Sequence, residues 1–189
     1  MQTYPIVEIF HSTQGEGFHV GMPHVFVRFG NCNLRCEWCD TDFLQFEEME
    51  IDEIVEKVLS YNCDRVIFTG GEPAMQDLST IGKRLKQHDI TLSIETNGTI
   101  EVDPIIDWIC VSPKAHTELV LTTGSELKLV YPQNGAAPER YQDLEFQHRF
   151  LQPLDGPNLD RNTSAAIAYC LENPNWCLSL QTHKITGIR

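Results

Sequence analysis

Three cysteines in one short segment are the side chains of this chain best suited to chemistry. Cys32, Cys36 and Cys39 lie at spacings of four and three residues, with no fourth cysteine nearby. Thiolates are the soft ligands that iron–sulfur clusters require, so these three can hold three corners of a cubane cluster. The fourth iron then stays open, and an open metal position is where a substrate or cosubstrate can bind. The spacing therefore predicts an enzyme.

A structural zinc ion is the alternative interpretation of the same cysteines. A histidine such as His11, His19 or His24 would complete the site. Structural zinc usually takes four protein ligands in paired groups, and the chain has no second CxxC segment, so zinc is the weaker interpretation. The other cysteines lie in apolar or helical contexts and are interpreted as small buried residues: Cys63, Cys110, Cys170 and Cys177.

Two further segments carry groups suited to binding, and each has a structural alternative. Residues 70–73, Gly-Gly-Glu-Pro, fit a simple strand-to-helix turn, or a strand end whose glycines let the backbone approach a ligand closely. Residues 12–17 fit a polar loop. Within them, Gln14 and Glu16 also supply donors and acceptors for a flat heterocycle with an amide edge.

Two isolated side chains also allow two interpretations. Arg28 precedes the cysteine segment in a predicted strand, where it is either a solvated charge or a fork for a carboxylate. His183, near the end of the chain, would by itself more often be a surface residue than a catalyst.

The elements that must position these residues alternate along the chain. Strands are predicted at residues 6–10, 24–29, 65–69, 90–95, 105–111, 126–131, 149–152 and 176–181, and helices at 51–59, 75–85 and 162–171. Such alternation implies βαβ units around a mostly parallel sheet. A complete eight-fold barrel takes about 250 residues, and this chain has 189. We therefore expect one α/β domain over residues 1–189, an incomplete, open (β/α) barrel of about six mostly parallel strands.

Polar or glycine-rich motifs follow the C-terminal ends of four predicted strands. They are the cysteine segment and residues 69–73, 95–98 and 112–114. Ligands of α/β folds bind at that edge of the sheet. The sequence therefore predicts one site that is built from all four motifs.

Composition limits the classes of function. The net charge of −13 argues against non-specific binding to nucleic acid, because phosphate contacts need a basic surface. No apolar run approaches the roughly 20 residues that span a bilayer, and the first residues do not resemble a signal peptide. We expect a cytoplasmic protein that does not bind nucleic acid or membranes.

Together the motifs resemble those of the 7-carboxy-7-deazaguanine synthase family of radical S-adenosylmethionine (SAM) enzymes. The CxxxCxxC spacing specifies only the superfamily. Gln-Gly-Glu-Gly at residues 14–17, Trp-Cys-Asp-Thr at 38–41 and Thr-His-Lys at 182–184 are more specific to the family. The resemblance spans nearly the whole chain and implies a radical SAM fold.

The resemblance implies a carbon–nitrogen lyase of queuosine and 7-deazapurine biosynthesis. Such an enzyme converts 6-carboxy-5,6,7,8-tetrahydropterin to 7-carboxy-7-deazaguanine by hydrogen abstraction, ring contraction and loss of ammonia. The implied cofactors are a [4Fe–4S] cluster with three cysteine ligands, SAM used catalytically, and Mg²⁺. The implied partners are an external one-electron reductant such as flavodoxin and a second copy of the chain in a homodimer.

The resemblance also assigns roles to individual residues. The cluster ligands would be Cys32, Cys36 and Cys39, and the Mg²⁺ ligand would be Thr41. SAM would contact Trp38, Asp40, Glu72, Gly98, Ser112, Lys114 and Gln152. The substrate would contact Thr13, Gln14, Gly15, Glu16, Arg28, Thr96, His183 and the carboxylate of Arg189.

The chain departs from the family pattern just before the first cysteine. The family usually has glycine there, whereas this chain has Asn31. Asparagine adopts the left-handed backbone conformation more readily than most residues, so we expect the loop to keep its shape.

Two other functions remain as alternatives. A glycyl-radical activase, another small radical SAM enzyme, would need a peptide surface in place of the pterin pocket. A non-catalytic metal protein, either zinc-stabilised or an electron carrier, would leave the motifs at the strand ends unexplained.

Overall fold

One β-sheet runs through the computed structural model, which describes residues 2–189. Its strands are β1 (Thr3–Thr13), β2 (Pro23–Phe29), β3 (Glu47–Glu50), β4 (Arg65–Gly70), β5 (Thr91–Thr96), β6 (Trp108–Val111), β7 (Thr123–Tyr131), β8 (Glu145–Pro153) and β9 (Cys177–Leu178). The helices are α1 (Ile51–Leu59), α2 (Leu78–Lys86), α3 (Leu159–Glu172) and α4 (Thr182–Thr186), with 3₁₀ turns at Pro73–Met75 and Pro138–Tyr141.

The strand order is β3-β1-β2-β4-β5-β6-β7-β8-β9. Strand β1 pairs antiparallel with β2 and β3, and every other pairing is parallel. The predicted fold class, an open and mostly parallel α/β sheet, is confirmed. Residues 2–189 contain nine strands where about six were expected, because β1, β3 and the two-residue β9 extend a centre of six parallel strands.

Two apolar clusters hold the helices against the sheet. The first joins α1 and α2 to β1, β2, β4 and β5, and the second joins α3 to β6, β7 and β8. In α1, the buried face consists of Ile54, Val55 and Val58, while the Glu53 carboxylate accepts a hydrogen bond from Glu50 N at 3.0 Å. That contact satisfies a backbone donor at the start of the helix. None of the described helices is long and apolar enough to cross a membrane.

Parallel pairing of β2 with β4 brings the cysteine segment beside the glycine pair that ends β4. Phe29 lies opposite Gly70 in the register. A Cβ atom on Gly71 would lie 1.7 Å from the carbonyl oxygen of Asn31, so only glycine fits there. The two chain segments therefore meet backbone to backbone.

Several local predictions differ from the structure. The helix expected from residue 75 begins at Leu78, because Asp77 accepts a hydrogen bond from Thr80 N and caps the helix there. The strand expected over residues 176–181 is only the two-residue β9, and β3 was not predicted. Cys177 was expected to be buried but is exposed, because it lies on that short edge strand.

The buried face of β8 gives a test of the packing. Leu151 is fully buried, so Leu151→Ala should lower the free energy of unfolding by about 2–5 kcal/mol. The control, Leu171→Ala, removes a side chain that is 81% exposed and should change it by less than about 0.5 kcal/mol. Urea titration followed by circular dichroism measures both, and equal effects would contradict this assignment of the core.

Candidate active site

A cavity of about 790 Å³ opens at the C-terminal edge of the parallel strands. Residues from all four predicted motifs line it, so the motifs meet at one cavity, and its use as a binding site stays a prediction. The predicted site residues on its wall are Thr13, Gln14, Gly15, Glu16, Arg28, Cys32, Cys36, Trp38, Cys39, Asp40, Thr41, Thr96, Ser112, Lys114, Gln152, His183 and Arg189. Glu72 and Gly98 lie behind that wall.

The residue before the first cysteine lies in a backbone conformation that glycine adopts freely and asparagine tolerates. Asn31 has a φ of 64°, in the left-handed region. Its N–H donates to Phe43 O at 2.9 Å, and its carbonyl accepts from Glu72 N at 2.8 Å. These two backbone hydrogen bonds fix the conformation immediately before the first cysteine.

The three cysteines face the cavity as free thiols. Leu34 N donates to the Cys32 sulfur at 3.4 Å, a contact that favours the thiolate. Burial raises the pKa of Cys32 and of Cys36, and at Cys36 the ammonium of Lys114 opposes that rise. Lys114 therefore brings a positive charge close to one of the thiols.

The donor set fits a cubane cluster better than a single ion. Among residues 2–189, no three His, Cys, Asp or Glu side chains converge as the ligands of one metal ion. The thiols of a cubane cluster bind separate irons and need not converge. Three soft donors on one loop, with Lys114 beside them, suit the charge of such a cluster.

Glu72 is fully buried and ties the end of β4 to the end of β5. Its carboxylate accepts from Thr96 Oγ1 at 2.6 Å, from Asn97 N at 2.7 Å and from Ala74 N at 3.0 Å. Burial raises the pKa of Glu72, while these three donors oppose the rise. Gly98 follows at a φ of 78°, and its carbonyl accepts from the loop at residues 120–121. Both residues support the wall that Thr96 forms, and their contact with SAM stays a prediction.

A second part of the wall is built around Lys114. Its ammonium donates to the backbone oxygen of Ser112 at 2.6 Å and to the Ser112 hydroxyl at 2.8 Å. It also lies 5.5 Å from the centre of the Trp38 ring, a cation–π distance. The Gln152 side chain is buried nearby in the same wall and accepts from Ser179 Oγ at 3.3 Å. Lys114 thus contacts both Ser112 and Trp38, and Gln152 lines the same cavity.

Arg28 and Thr41 lie together on another part of the cavity wall. Arg28 donates through Nε to Glu8 at 2.8 Å, which fixes the guanidinium and leaves its outer nitrogens towards the cavity. One of those nitrogens lies 3.5 Å from Thr41 Oγ1, and that hydroxyl donates to Asp40 at 3.4 Å. A ligand carboxylate at this position would contact both the Arg28 guanidinium and a cation bound to Thr41.

The polar floor of the cavity contains two charged residues, Lys128 and Glu95, to which the sequence analysis assigned no role in the site. Lys128 is 3% exposed, and its ammonium lies 2.6 Å from Glu16 and 2.7 Å from Glu95. Glu95 also accepts from the Gln14 amide at 2.9 Å. The available signal was a lysine inside the otherwise apolar run at residues 127–130. A charge in a buried strand must have partners, and here they are two site carboxylates.

The C-terminal residues cover one side of the cavity. Thr182 donates through its N–H and its hydroxyl to Gly15 O, each at 3.0 Å. His183 packs so closely on Gly15 that a Cβ atom there would lie 2.2 Å from the imidazole. Lys184 donates to Asp40 at 3.0 Å, and Arg189 O accepts from Ser12 Oγ at 2.7 Å. The Thr-His-Lys motif therefore closes over the Gln-Gly-Glu-Gly loop.

Comparison with known proteins identifies a family and several proteins that this chain resembles. The model of the radical SAM superfamily matches residues 26–121. A 7-carboxy-7-deazaguanine synthase of Bradyrhizobium diazoefficiens is 44% identical over 99% of this chain and all of its own length. One from Bordetella pertussis is 43% identical over 98% of this chain and 99% of its own. The crystal structure of QueE from Escherichia coli superposes with a TM-score of 0.78 at 27% identity, covering 95% of this chain and 94% of that one.

The backbone at residue 31 gives a test of the cysteine loop. Asn31→Ala should lower the free energy of unfolding by about 1–2 kcal/mol. Residue 31 has a positive φ, which strains alanine more than asparagine, because the short polar side chain of asparagine can form local hydrogen bonds there. Asn31→Gly should stay within about 0.5 kcal/mol of the parent protein. The exposed Asn134→Ala is the matched control. Urea unfolding of the cluster-free protein measures all three, and an unchanged Asn31→Ala would show that the loop is not held in this conformation.

Proposed function

This chain belongs to the 7-carboxy-7-deazaguanine synthase family of radical SAM lyases, and on that premise we propose that it converts 6-carboxy-5,6,7,8-tetrahydropterin to 7-carboxy-7-deazaguanine with the aid of Mg²⁺. The substrate contains the same atoms as the product and one molecule of ammonia together. The conversion therefore needs no net oxidant, which agrees with SAM being regenerated in each turnover.

The observation that carries the proposal is the convergence of three different surfaces on one cavity. The cysteine loop, the wall around Lys114 and the floor around Gln14 each suit a different part of the reaction. A cluster, a cosubstrate and a heterocycle must lie side by side for hydrogen transfer between them. A cavity of about 790 Å³ is of the size that small-molecule sites have.

Membership of the superfamily implies a [4Fe–4S] cluster and SAM. Cys32, Cys36 and Cys39 would hold the cluster, and when bound it supplies the electron that generates a radical from SAM. We propose that the SAM surface consists of Trp38, Asp40, Ser112, Lys114 and Gln152, with Glu72 and Gly98 supporting it from behind. The partly buried Lys114 ammonium is suited to an anionic group of that ligand.

The substrate carboxylate is proposed to lie between Arg28 and Thr41. The Arg28 guanidinium is fixed by Glu8 and can fork onto a carboxylate. Mg²⁺ commonly keeps water and substrate oxygens in its shell, so the single hydroxyl of Thr41 suffices as its protein ligand. The ring would then reach Thr13, the floor at residues 14–16, Thr96 and the C-terminal cover at His183 and Arg189.

The C-terminal cover disfavours a peptide substrate. Residues 182–184 bind Gly15 and Asp40 directly, so the side where a glycyl-radical activase would need an open peptide surface is occupied by the chain itself. A zinc-stabilised module would leave the buried charges of the floor without a purpose.

Further parts of the proposal rest on family membership alone. We propose that residues 1–189 act as one radical SAM domain in a cytoplasmic homodimer. An external one-electron donor such as flavodoxin would supply the reductant.

One anaerobic experiment tests the proposed function. The protein is reconstituted with iron and sulfide and incubated with SAM, Mg²⁺, a reductant and the carboxytetrahydropterin. Mass spectrometry should detect carboxydeazaguanine, together with SAM that is not consumed stoichiometrically. An intact cluster that cleaves SAM without forming this product would overturn the assigned substrate and leave the superfamily unaffected.

Replacement of Thr41 tests the proposed cation site. Thr41→Ala should reduce the stimulation of turnover by Mg²⁺ about tenfold or more, because the only protein oxygen assigned to the cation is removed. Iron and sulfide content should stay equal to that of the parent protein. The exposed Thr122→Ala, whose side chain is remote from the cavity, is the control. Loss of the cluster in Thr41→Ala would place this residue in cluster binding instead.

A further inference from the structure

The floor of the cavity consists of two carboxylates held together by one hidden cation. Lys128 Nζ lies 2.6 Å from Glu16 Oε2 and 2.7 Å from Glu95 Oε2. The side chains of Glu16 and Glu95 are 15% and 24% exposed, whereas that of Lys128 is 4% exposed. Lys128 also lines the cavity, but a ligand there meets mainly the two carboxylates, because they expose more of their surface than the ammonium that holds them.

The Gln14 amide is fixed in one orientation by the same group. Its Nε2 donates to Glu95 Oε1 at 2.9 Å, and its Oε1 accepts from Glu16 N at 3.1 Å. A carboxylate only accepts and a backbone N–H only donates, so the amide cannot flip without losing both hydrogen bonds. Glu95 thus sets the direction of Gln14, and Lys128 sets the position of Glu95.

Each carboxylate keeps capacity to accept from a ligand. Glu16 receives Lys128 and the Gln181 amide, and Glu95 receives Lys128 and the Gln14 amide. A carboxylate has about four lone-pair sites, so two contacts leave room for further donors.

We propose that Lys128 is a positioning residue for substrate recognition: it holds Glu16 and Glu95 side by side as acceptors, and this pair selects a ring edge that carries hydrogen-bond donors. The identity of that edge rests on the proposed function: it is the 2-amino-4-oxo edge of a pterin. The amino and ring N–H groups of this edge point outward in one plane. A ring with a carbonyl in place of the amino group turns a lone pair towards the carboxylates and is rejected.

The charges around Lys128 agree with this role. Burial alone would raise the pKa of Glu16, but the Lys128 ammonium lowers it to about 2. Burial likewise disfavours charge on Lys128, yet its acidic neighbours, Cys110, Glu16 and Glu95 among them, raise its pKa well above the usual value. Glu126 is a further acid nearby, but it accepts from Phe18 N at 3.1 Å and does not line the cavity.

A pair of stable probes isolates this recognition from the chemistry. Pterin-6-carboxylate carries the 2-amino-4-oxo edge, and in its 2,4-dioxo analogue, lumazine-6-carboxylate, the amino group is a carbonyl and the adjacent N1 carries a hydrogen. Equilibrium dialysis against the reconstituted protein with SAM and Mg²⁺ measures the dissociation constant of each. The parent protein should prefer the amino probe by at least about 100-fold, as sites built for a donor do.

Two variants and a control then test the role of the buried charges. Lys128→Met should reduce the preference to less than about tenfold, because the carboxylates lose the cation that holds them. Glu95→Gln keeps the side-chain length, removes charge from the floor, and offers an amide that can donate to the carbonyl probe, so its preference should fall as well. Lys86→Met removes a lysine that pairs with Asp107 away from the cavity, and it should keep the full preference.

The outcomes separate recognition from support of the fold. If Lys128 had only a structural role, Lys128→Met would weaken the binding of both probes in the same proportion. An unchanged ratio of the two dissociation constants in both variants would overturn the proposal. A parent protein that binds neither probe, or both equally, would overturn it too. If Lys128→Met does not fold, Lys128→Gln, which keeps a donor without the charge, takes its place beside Glu95→Gln.

The proposal and the proposed function fail differently. Product formation without discrimination between the probes would overturn only the role of Lys128. Discrimination that depends on Lys128, in a protein that forms no carboxydeazaguanine, would overturn only the assigned reaction.

Discussion

The backbone contact between the ends of β2 and β4 is the constraint on which the site depends. Asn31 O accepts from Glu72 N at 2.8 Å, and the backbone of Asn31 lies so close to residue 71 that only glycine fits there. The same Glu72 then holds Thr96 and Asn97 at the end of β5. One short peptide segment therefore fixes the loop of the cluster ligands relative to the next two strand ends, so that the cysteines and the cavity wall are positioned together.

A second constraint lies deeper, where the buried Lys128 ammonium pairs with two partly exposed carboxylates. Buried ion pairs contribute little net stability, since the cost of desolvation offsets much of their attraction. A lysine in the middle of β7 is therefore hard to explain by folding alone. Its two carboxylate partners both line the cavity, and this makes recognition of a ligand the physical reason for the charge.

The sequence predicts the parts of this molecule that follow from local pattern. Alternating apolar segments and strand-end motifs predicted the parallel sheet and the edge where the site lies, because both depend on residues close in the chain. The conformation at Asn31 also followed from residue type. Strand β3 and the partners of Lys128 could not be predicted from residue type, since they depend on contacts between residues that are far apart in the chain. Glu72 was assigned to a ligand from its motif, whereas its burial beneath Thr96 required the packed structure.

The central claim is that one cavity holds the cluster at its rim and the substrate ring on the charged floor. The most direct measurement is an anaerobic crystal structure of the reconstituted protein with SAM and the carboxytetrahydropterin. The account predicts three protein ligands to the cluster, Cys32, Cys36 and Cys39, and the amino edge of the ring within hydrogen-bond distance of Glu16 or Glu95. A fourth protein ligand on the cluster, or a ring bound away from both carboxylates, would contradict it.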